Sequence, residues 1–259
     1  MRAGLSPQPD TERKDESVTR LSLKNVVKRF GGVTALAGID LSLDSGEILG
    51  LIGPNGSGKT TLVNCVSGVL PITSGRIWLD GREITGWTRV RRAKAGISRT
   101  FQNLQLFREL TVGENVAVGA SASGSGVDSE QTVRDLLARF ELEGVARAVV
   151  SELSHGQQRR VEMARALAGK PRVLLVDEPA AGLNDAETLE LRRLLGQIRE
   201  DLGCSLLLID HDMSLVLKVA DRVQVLDEGK VIFVGPPDKA FRQPNVVEAY
   251  LGSGDDRPD

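Results

Sequence analysis

Aromatic residues are scarce here: six Phe, two Trp and one Tyr in 259 residues. The core must therefore be built mostly from aliphatic side chains. There are two cysteines, Cys65 and Cys204, and they lack the paired spacing that holds a metal. Both are expected to be buried, reduced thiols. No run of about 18 apolar residues occurs, so no segment is expected to span a bilayer. The first 20 residues lack the apolar stretch of a secretory signal. Neither sign of charge dominates, with 33 Lys and Arg against 35 Asp and Glu. A net charge of −2 exerts no overall pull toward nucleic acid. No internal repeat is visible.

What is present supports a substantial core, since 41% of the residues are hydrophobic. Residues 1–18 and 253–259 read as polar tails, and 19–252 as the folded domain. Early apolar positions alternate: Leu21, Leu23 and Val26, then Ile39, Leu41 and Leu43, suggest two strands. A strand over 76–79 meets the turn signal Asp80-Gly81. The basic segment 90–95 reads as helical and 97–101 as a strand. Thr111 and Glu114 form a capping box opening a helix. Residues 119–126, rich in Gly, Ser and Ala, read as a loop. Val133, Leu136, Leu137 and Phe140 fall at helical spacing, and 156–168 continues as a helix. The region from about 103 to 165 is thus expected to be an inserted helical subdomain.

Downstream the order is strand (172–176), helix (186–202) and strand (205–209). The helix carries an apolar stripe of Leu191, Leu194, Leu195, Ile198 and Leu202. Continuous apolar strands alternating with helices imply a parallel sheet covered on both faces. Residues 223–226 and 231–234 read as a hairpin, and 245–251 as a closing helix.

Three stretches carry chemistry. Gly53-Pro54-Asn55-Gly56-Ser57-Gly58-Lys59-Thr60, followed by Thr61, fits the phosphate-binding pattern G-x-x-x-x-G-K-[ST]. It stands between a strand at 47–52 and a helix beginning at Thr60. Backbone N–H groups and the helix dipole would then converge on an anion. Lys59 would reach the outer phosphates, and the Thr60 hydroxyl would ligate magnesium. Second, the apolar strand Val173-Leu174-Leu175-Val176 ends in Asp177 and Glu178. Ligands bind at the carboxyl ends of such strands, which suits Asp177 for the metal and Glu178 for the attacking water. Third, Ser154 at the start of a helix is an N-cap or a second anion-binding device.

Together, in this order and spacing, these motifs resemble the ATP-binding subunits of ABC transporters. The resemblance covers about residues 20–251 and implies an α/β fold: a P-loop NTPase nucleotide-binding domain. It would have a mostly parallel sheet core, an antiparallel β subdomain and the inserted helical subdomain. By this resemblance Phe30 would stack on adenine, with Val33 beside it. Gln102 would sense magnesium and the water, and His211 would contact the γ-phosphate. Ala181-Gly182-Leu183-Asn184-Asp185 would form the D-loop. The catalytic set is then Glu178, His211, Gln102 and Lys59, and the metal set Thr60, Gln102 and Asp177. Ser154, Gly156 and Gln157 would act on the ATP of a second such subunit, bound head to tail.

The segments around Arg99-Thr100-Phe101-Gln102, Asp210-His211-Asp212-Met213 and Glu248-Ala249-Tyr250-Leu251-Gly252 look like the LivG-like branch. That branch serves importers of branched-chain amino acids, and relatives import urea and short amides. Two departures bear on partner choice. His155 stands where the branch often has Tyr, and residues 119–130 are short and Gly/Ser-rich. The resemblance implies ATP and Mg2+ as ligands, transmembrane permease subunits and a second ATPase subunit as partners, and indirectly a substrate-binding protein. The expected location is the cytoplasmic face of the membrane. Among Leu104, Leu106, Phe107, Leu110 and Val112, some are expected to form a groove for a permease helix, the others subdomain core. A rival reading is a soluble ABC ATPase of DNA or ribosomes. It would draw on Arg89, Arg91, Arg92, Lys94 and Arg99, which read more simply as a solvated face. No coiled coil or second cassette supports it, and no nucleic acid is expected. A non-hydrolysing module is disfavoured by Glu178.

Overall fold

The computed structural model describes residues 18–101, 104–122, 129–210 and 213–252. Two long strands, β1 (Thr19–Phe30) and β2 (Val33–Asp44), form a hairpin turning at Gly31 and Gly32. β3 (Ile48–Ile52) leads into the glycine loop and helix α1 (Lys59–Ser67). β4 (Ser74–Leu79) and the short β5 (Arg82–Glu83) then join the hairpin in an antiparallel sheet of order β2-β1-β4-β5. Helix α2 (Arg89–Lys94) precedes β6 (Ile97–Arg99).

Three helices follow: α3 (Val112–Ala122), α4 (Ser129–Arg139) and α5 (His155–Ala168). The remainder alternates as β7 (Val173–Asp177), α6 (Asp185–Leu202), β8 (Ser205–Ile209), α7 (Met213–Val219) and β9 (Arg222–Asp227). β10 (Lys230–Gly235), α8 (Pro237–Ala240) and α9 (Pro244–Gly252) end it. The second sheet has order β10-β9-β3-β8-β7-β6, parallel except at its β10 edge.

The apolar strands are buried on both faces, and their two-residue period sorts the core. Ile48, Ile52, Leu174, Val176, Leu206 and Leu208 face the helices α3 to α6. Leu49, Leu51, Val173, Leu175, Leu207 and Ile209 face α1 and the antiparallel sheet. The loop ends of β3, β7 and β8 therefore lie along one rim, held by packing on either side.

Several expectations need correction. Residues 119–122 are helical, because α3 lies directly on α5 there. A Cβ on Gly119 would sit 2.0 Å from the Arg165 carbonyl oxygen, so the glycine serves a close helix contact. The rest of that segment, 123–126, lies outside the described residues. Leu202 leaves the apolar stripe and is 43% exposed, because α6 ends there at Gly203. The basic set around α2 is not uniformly solvated. Arg89, Arg91 and Lys94 are exposed, but Arg92 is buried and Arg99 turns inward. The helices α7 and α8 were not foreseen.

Cys65 and Cys204 are buried and free. Burial pushes their thiols up to about 11 and about 12. The thiolate fraction at pH 8 is then on the order of 10⁻³ or less. We expect neither thiol to react with dithiodipyridine in the folded chain at pH 8, and both to react in denaturant. Rapid reaction of the native chain would contradict this. The raised values also mean that the thiols' contribution to stability is full below 9.0 and is lost as pH climbs through about 11 and 12.

Candidate functional site

Three glycines shape the loop between β3 and α1. Gly53, Gly56 and Gly58 have φ of 147°, 79° and 106°, a region that strains other residues. Two also lack room for a side chain. A Cβ on Gly53 would lie 2.0 Å from the Leu226 carbonyl oxygen, and one on Gly58 2.7 Å from that of Ala35. The loop is thus wedged between β9 and β2. Asn55, Gly56 and Thr60 are exposed, whereas Pro54 and Ser57 are buried. Ser57 anchors the loop. Its N–H donates to Pro54 O at 3.2 Å, and its carbonyl accepts from Gly229 N at 3.0 Å.

Helix α1 begins at Lys59 with Gly58 as its N-cap. No side chain caps it, and no acidic residue lies in its first turn. Its positive end is therefore not neutralised by its own first turn, as anion binding requires. Lys59 Nζ donates to Gly53 O at 2.7 Å and to Pro54 O at 2.9 Å. Burial lowers its pKa, and the carboxylates of Glu178 and Asp177 oppose that. Electrostatically, the fold brings the loop lysine and the end of β7 together.

Asp177 is buried at the end of β7. Its N–H donates to Thr100 Oγ1 at 3.3 Å, and its Oδ2 accepts from Arg99 Nη2 at 2.6 Å. Glu178 has φ 45°, uncommon for a residue with a side chain. Its N–H donates to the Ile209 carbonyl at 2.7 Å, so the end of β8 holds this turn in place. Such local strain persists where surroundings over-determine it, as at functional sites. Gln102 and His211, expected to complete the set, lie outside the described residues.

The remaining expected residues occupy two edges. Phe30 faces Val33 across the hairpin tip, and they are 46% and 68% exposed. Phe30 is thus not a core ring; Lys28 Nζ stands 4.8 Å from its centroid. β2 runs from Val33 to Ala35 at the loop, so both residues border the same rim. On the helical side Ser154 caps α5. Gln157 N–H donates to Ser154 Oγ at 3.3 Å, and Ser154 N–H to Gln157 Oε1 at 3.1 Å. Gly156 lies close under Glu187, where a Cβ would be 2.6 Å from Oε1. Ala180 N–H donates to Asp210 Oδ2 at 3.3 Å, tying the turn after β7 to the end of β8.

Some residues were not legible as site neighbours. Glu162 on α5 is 1% exposed and accepts from the N–H groups of Phe101 (3.2 Å) and Gln105 (3.5 Å). Burial raises its pKa, against those bonds and Arg159. Arg159 donates to Phe101 O, and Arg165 to Gln105 O. Helix α5 therefore grips the chain on both sides of residues 102–104. Tyr250 on α9 lies partly buried beside the Gly53 backbone, and that burial raises its phenol. Buried charges carry no periodic signal, and the approach of Tyr250 to Gly53 joins residues about 200 positions apart, so neither contact could be read beforehand.

Nearby, a groove of about 410 Å³ is lined by Leu104, Leu106, Arg108, Val150, His155 and Gln158. Of the apolar set expected there, Val112 belongs to the core and Phe107 is 50% exposed beside the groove.

An unneutralised helix end that can take phosphates, with a lysine in the field of two strand-end carboxylates, defines a nucleoside triphosphatase of the phosphate-loop class. Comparison with known proteins narrows this. The profile of the ABC transporter family matches residues 36–181. The branched-chain amino-acid transport ATP-binding proteins BraF of Pseudomonas aeruginosa and LivG of Escherichia coli K12 are each 38% identical over 90% of this chain and 97% of their own length. The chain belongs to the ABC transporter family. Among solved structures, the ATP-binding cassette MJ1267 in its ADP conformation superposes with a TM-score of 0.82 at 31% identity, covering 90% of this chain and 99% of that one. The cassette MJ0796, a dimer with ADP and phosphate, gives 0.75 at 29% identity, covering 84% and 98%.

Proposed function

We propose that this chain hydrolyses MgATP to power an importer of branched-chain amino acids, or of related small amides or urea. The observation that carries this reading is the near-complete mutual coverage with BraF and LivG. Lys59 and the loop N–H groups hold the phosphates, with Phe30 and Val33 against the base. Glu178 polarises the attacking water, and Gln102 and His211 position it and the γ-phosphate. The work is mostly orientation and charge stabilisation. The oxygen donors of Thr60 and Asp177 fit magnesium, a hard cation that takes few protein ligands beside phosphate oxygens. Bound there, with Gln102, magnesium would neutralise developing phosphate charge.

Ser154, Gly156 and Gln157 complete the site of a second ATPase subunit, identical or paralogous, in a head-to-tail pair. The permease subunits are then separate chains, and this chain sits at the cytoplasmic face of the membrane; no helix among its described residues is long and apolar enough to cross a membrane. The rival nucleic-acid reading loses ground, because Arg92 and Arg99 are engaged inside the protein.

The test is co-expression with candidate permease chains, purification from membranes and reconstitution. We expect leucine, isoleucine or valine, delivered by a binding protein, to stimulate ATP hydrolysis. Stimulation only by a chemically unrelated cargo would overturn the substrate reading. Leu106→Glu in the groove should weaken co-purification with the permease at least about tenfold, since one charge is costly to bury. ATP binding by the isolated chain should be retained. Normal assembly of that variant would refute the groove as the docking site.

A further inference from the structure

Arg99 reads in sequence as one of a set of surface charges, yet its side chain is only 10% exposed. It ends β6 and reaches two other elements. Nη2 donates to Asp177 Oδ2 at 2.6 Å, and Nη1 donates to Asn64 Oδ1 at 2.5 Å. Asn64 lies one turn after Thr60 on α1, so the two share a helix face. One guanidinium therefore ties the β7 carboxylate to the face of α1 that carries the Thr60 hydroxyl. Thr100, next in sequence, braces the same residue through the Asp177 N–H at 3.3 Å. The ring of Phe101 lies 4.9 Å from the guanidinium and backs it.

We propose that Arg99 is a positioning residue that fixes Asp177 against Thr60 and thereby sets the divalent-cation affinity of the nucleotide site. This rests on the reading that Thr60 and Asp177 hold magnesium. A guanidinium has two opposing effects on such a site. Its charge repels a cation, while its planar fork removes the rotational freedom of the carboxylate. The second arm, to Asn64, decides between them: a purely charge-balancing arginine has no need of that anchor. Residues that orient ligating carboxylates typically change metal affinity by about 10- to 100-fold when lost.

The experiment compares binding of a fluorescent ATP analogue to the purified chain in EDTA and across a Mg2+ titration. Arg99→Met should raise the Mg2+ concentration for half-maximal enhancement about tenfold or more. Affinity in EDTA, which depends on Lys59 and the loop, should stay within about twofold of the unaltered chain. Asn64→Ala keeps the charge pair and loosens its anchor, so it should shift the Mg2+ requirement in the same direction, by less. Arg99→Lys, which cannot span both partners, should fall between them. An unchanged or lowered Mg2+ requirement in both Arg99→Met and Asn64→Ala overturns the proposal. So does an equal loss in EDTA and in Mg2+. Asp177→Asn separates the two readings. If it abolishes the Mg2+ effect while Arg99→Met does not, only the role of Arg99 falls. If it leaves the Mg2+ effect intact, the metal site itself is misassigned.

Discussion

Glu178→Gln is expected to bind ATP as well as the unaltered chain while hydrolysing it about 10²- to 10⁴-fold more slowly, the usual worth of a general base. The substitution keeps shape and removes only the charge that can attract a proton from water. It also respects the backbone. Glu178 sits at φ 45° with its N–H on Ile209 O, and neither feature depends on the carboxylate. Loss of rate with intact binding therefore isolates chemistry from folding. Retention of more than about half the rate would remove Glu178 from the catalytic set, because the side chain would then contribute no base. Lys59→Ala supplies the contrast, since it should weaken nucleotide binding itself.

The second large effect concerns stability. Arg92 is 2% exposed, and its guanidinium serves four carbonyls. Nη1 donates to Cys65 O at 2.7 Å and Val66 O at 2.8 Å, Nη2 to Thr85 O at 2.7 Å, and Nε to Trp87 O at 3.2 Å. Two of those acceptors lie at the carboxyl end of α1, where the helix dipole favours a cation. Burial lowers the pKa of Arg92. Arg92→Ala would strand several buried carbonyls and open a cavity, for a loss of roughly 3–5 kcal/mol. That is a large share of the ~5–15 kcal/mol that holds a typical domain folded. Arg92→Lys, with one compact ammonium for four acceptors, should recover part of the loss. Denaturant titration followed by circular dichroism reads both. A change below about 1 kcal/mol for Arg92→Ala would show that water replaces the guanidinium without penalty.

Arg92 also marks where reading from sequence stops. The strand–loop–helix at 48–67 was legible because glycine spacing and an apolar strand are local signals. So was the parallel order of β7, α6 and β8, from runs such as Val173-Leu174-Leu175-Val176. The Thr111–Glu114 capping box was legible for the same reason, and Glu114 accepts both from the Thr111 N–H and from its hydroxyl at 2.8 Å. Arg92, Arg99 and Glu162 were not, since an internal charge is defined by partners far away in the chain. In sequence they look like any solvated charge. Gly119 misled for a related reason. Its glycine reads as loop composition, yet what requires it is the Arg165 backbone of another helix. The loop glycines were the converse, with a motif to announce a conformation that Leu226 and Ala35 enforce.

The sheet order carries a consequence for synthesis. β3, which launches the phosphate loop, is flanked on one side by β8 and on the other by β9. Both neighbours are encoded far downstream, and Tyr250 beside Gly53 is later still. At about 5–20 residues per second, β3 leaves the ribosome with both edges bare for roughly 10–30 s before its partners exist. An apolar strand in that condition invites mispairing. The hairpin β1–β2 can close at once, but the nucleotide site cannot be assembled until nearly the whole chain has been made. Truncated products of this gene should therefore be chaperone-bound or degraded, and nucleotide should stabilise the chain only after its release.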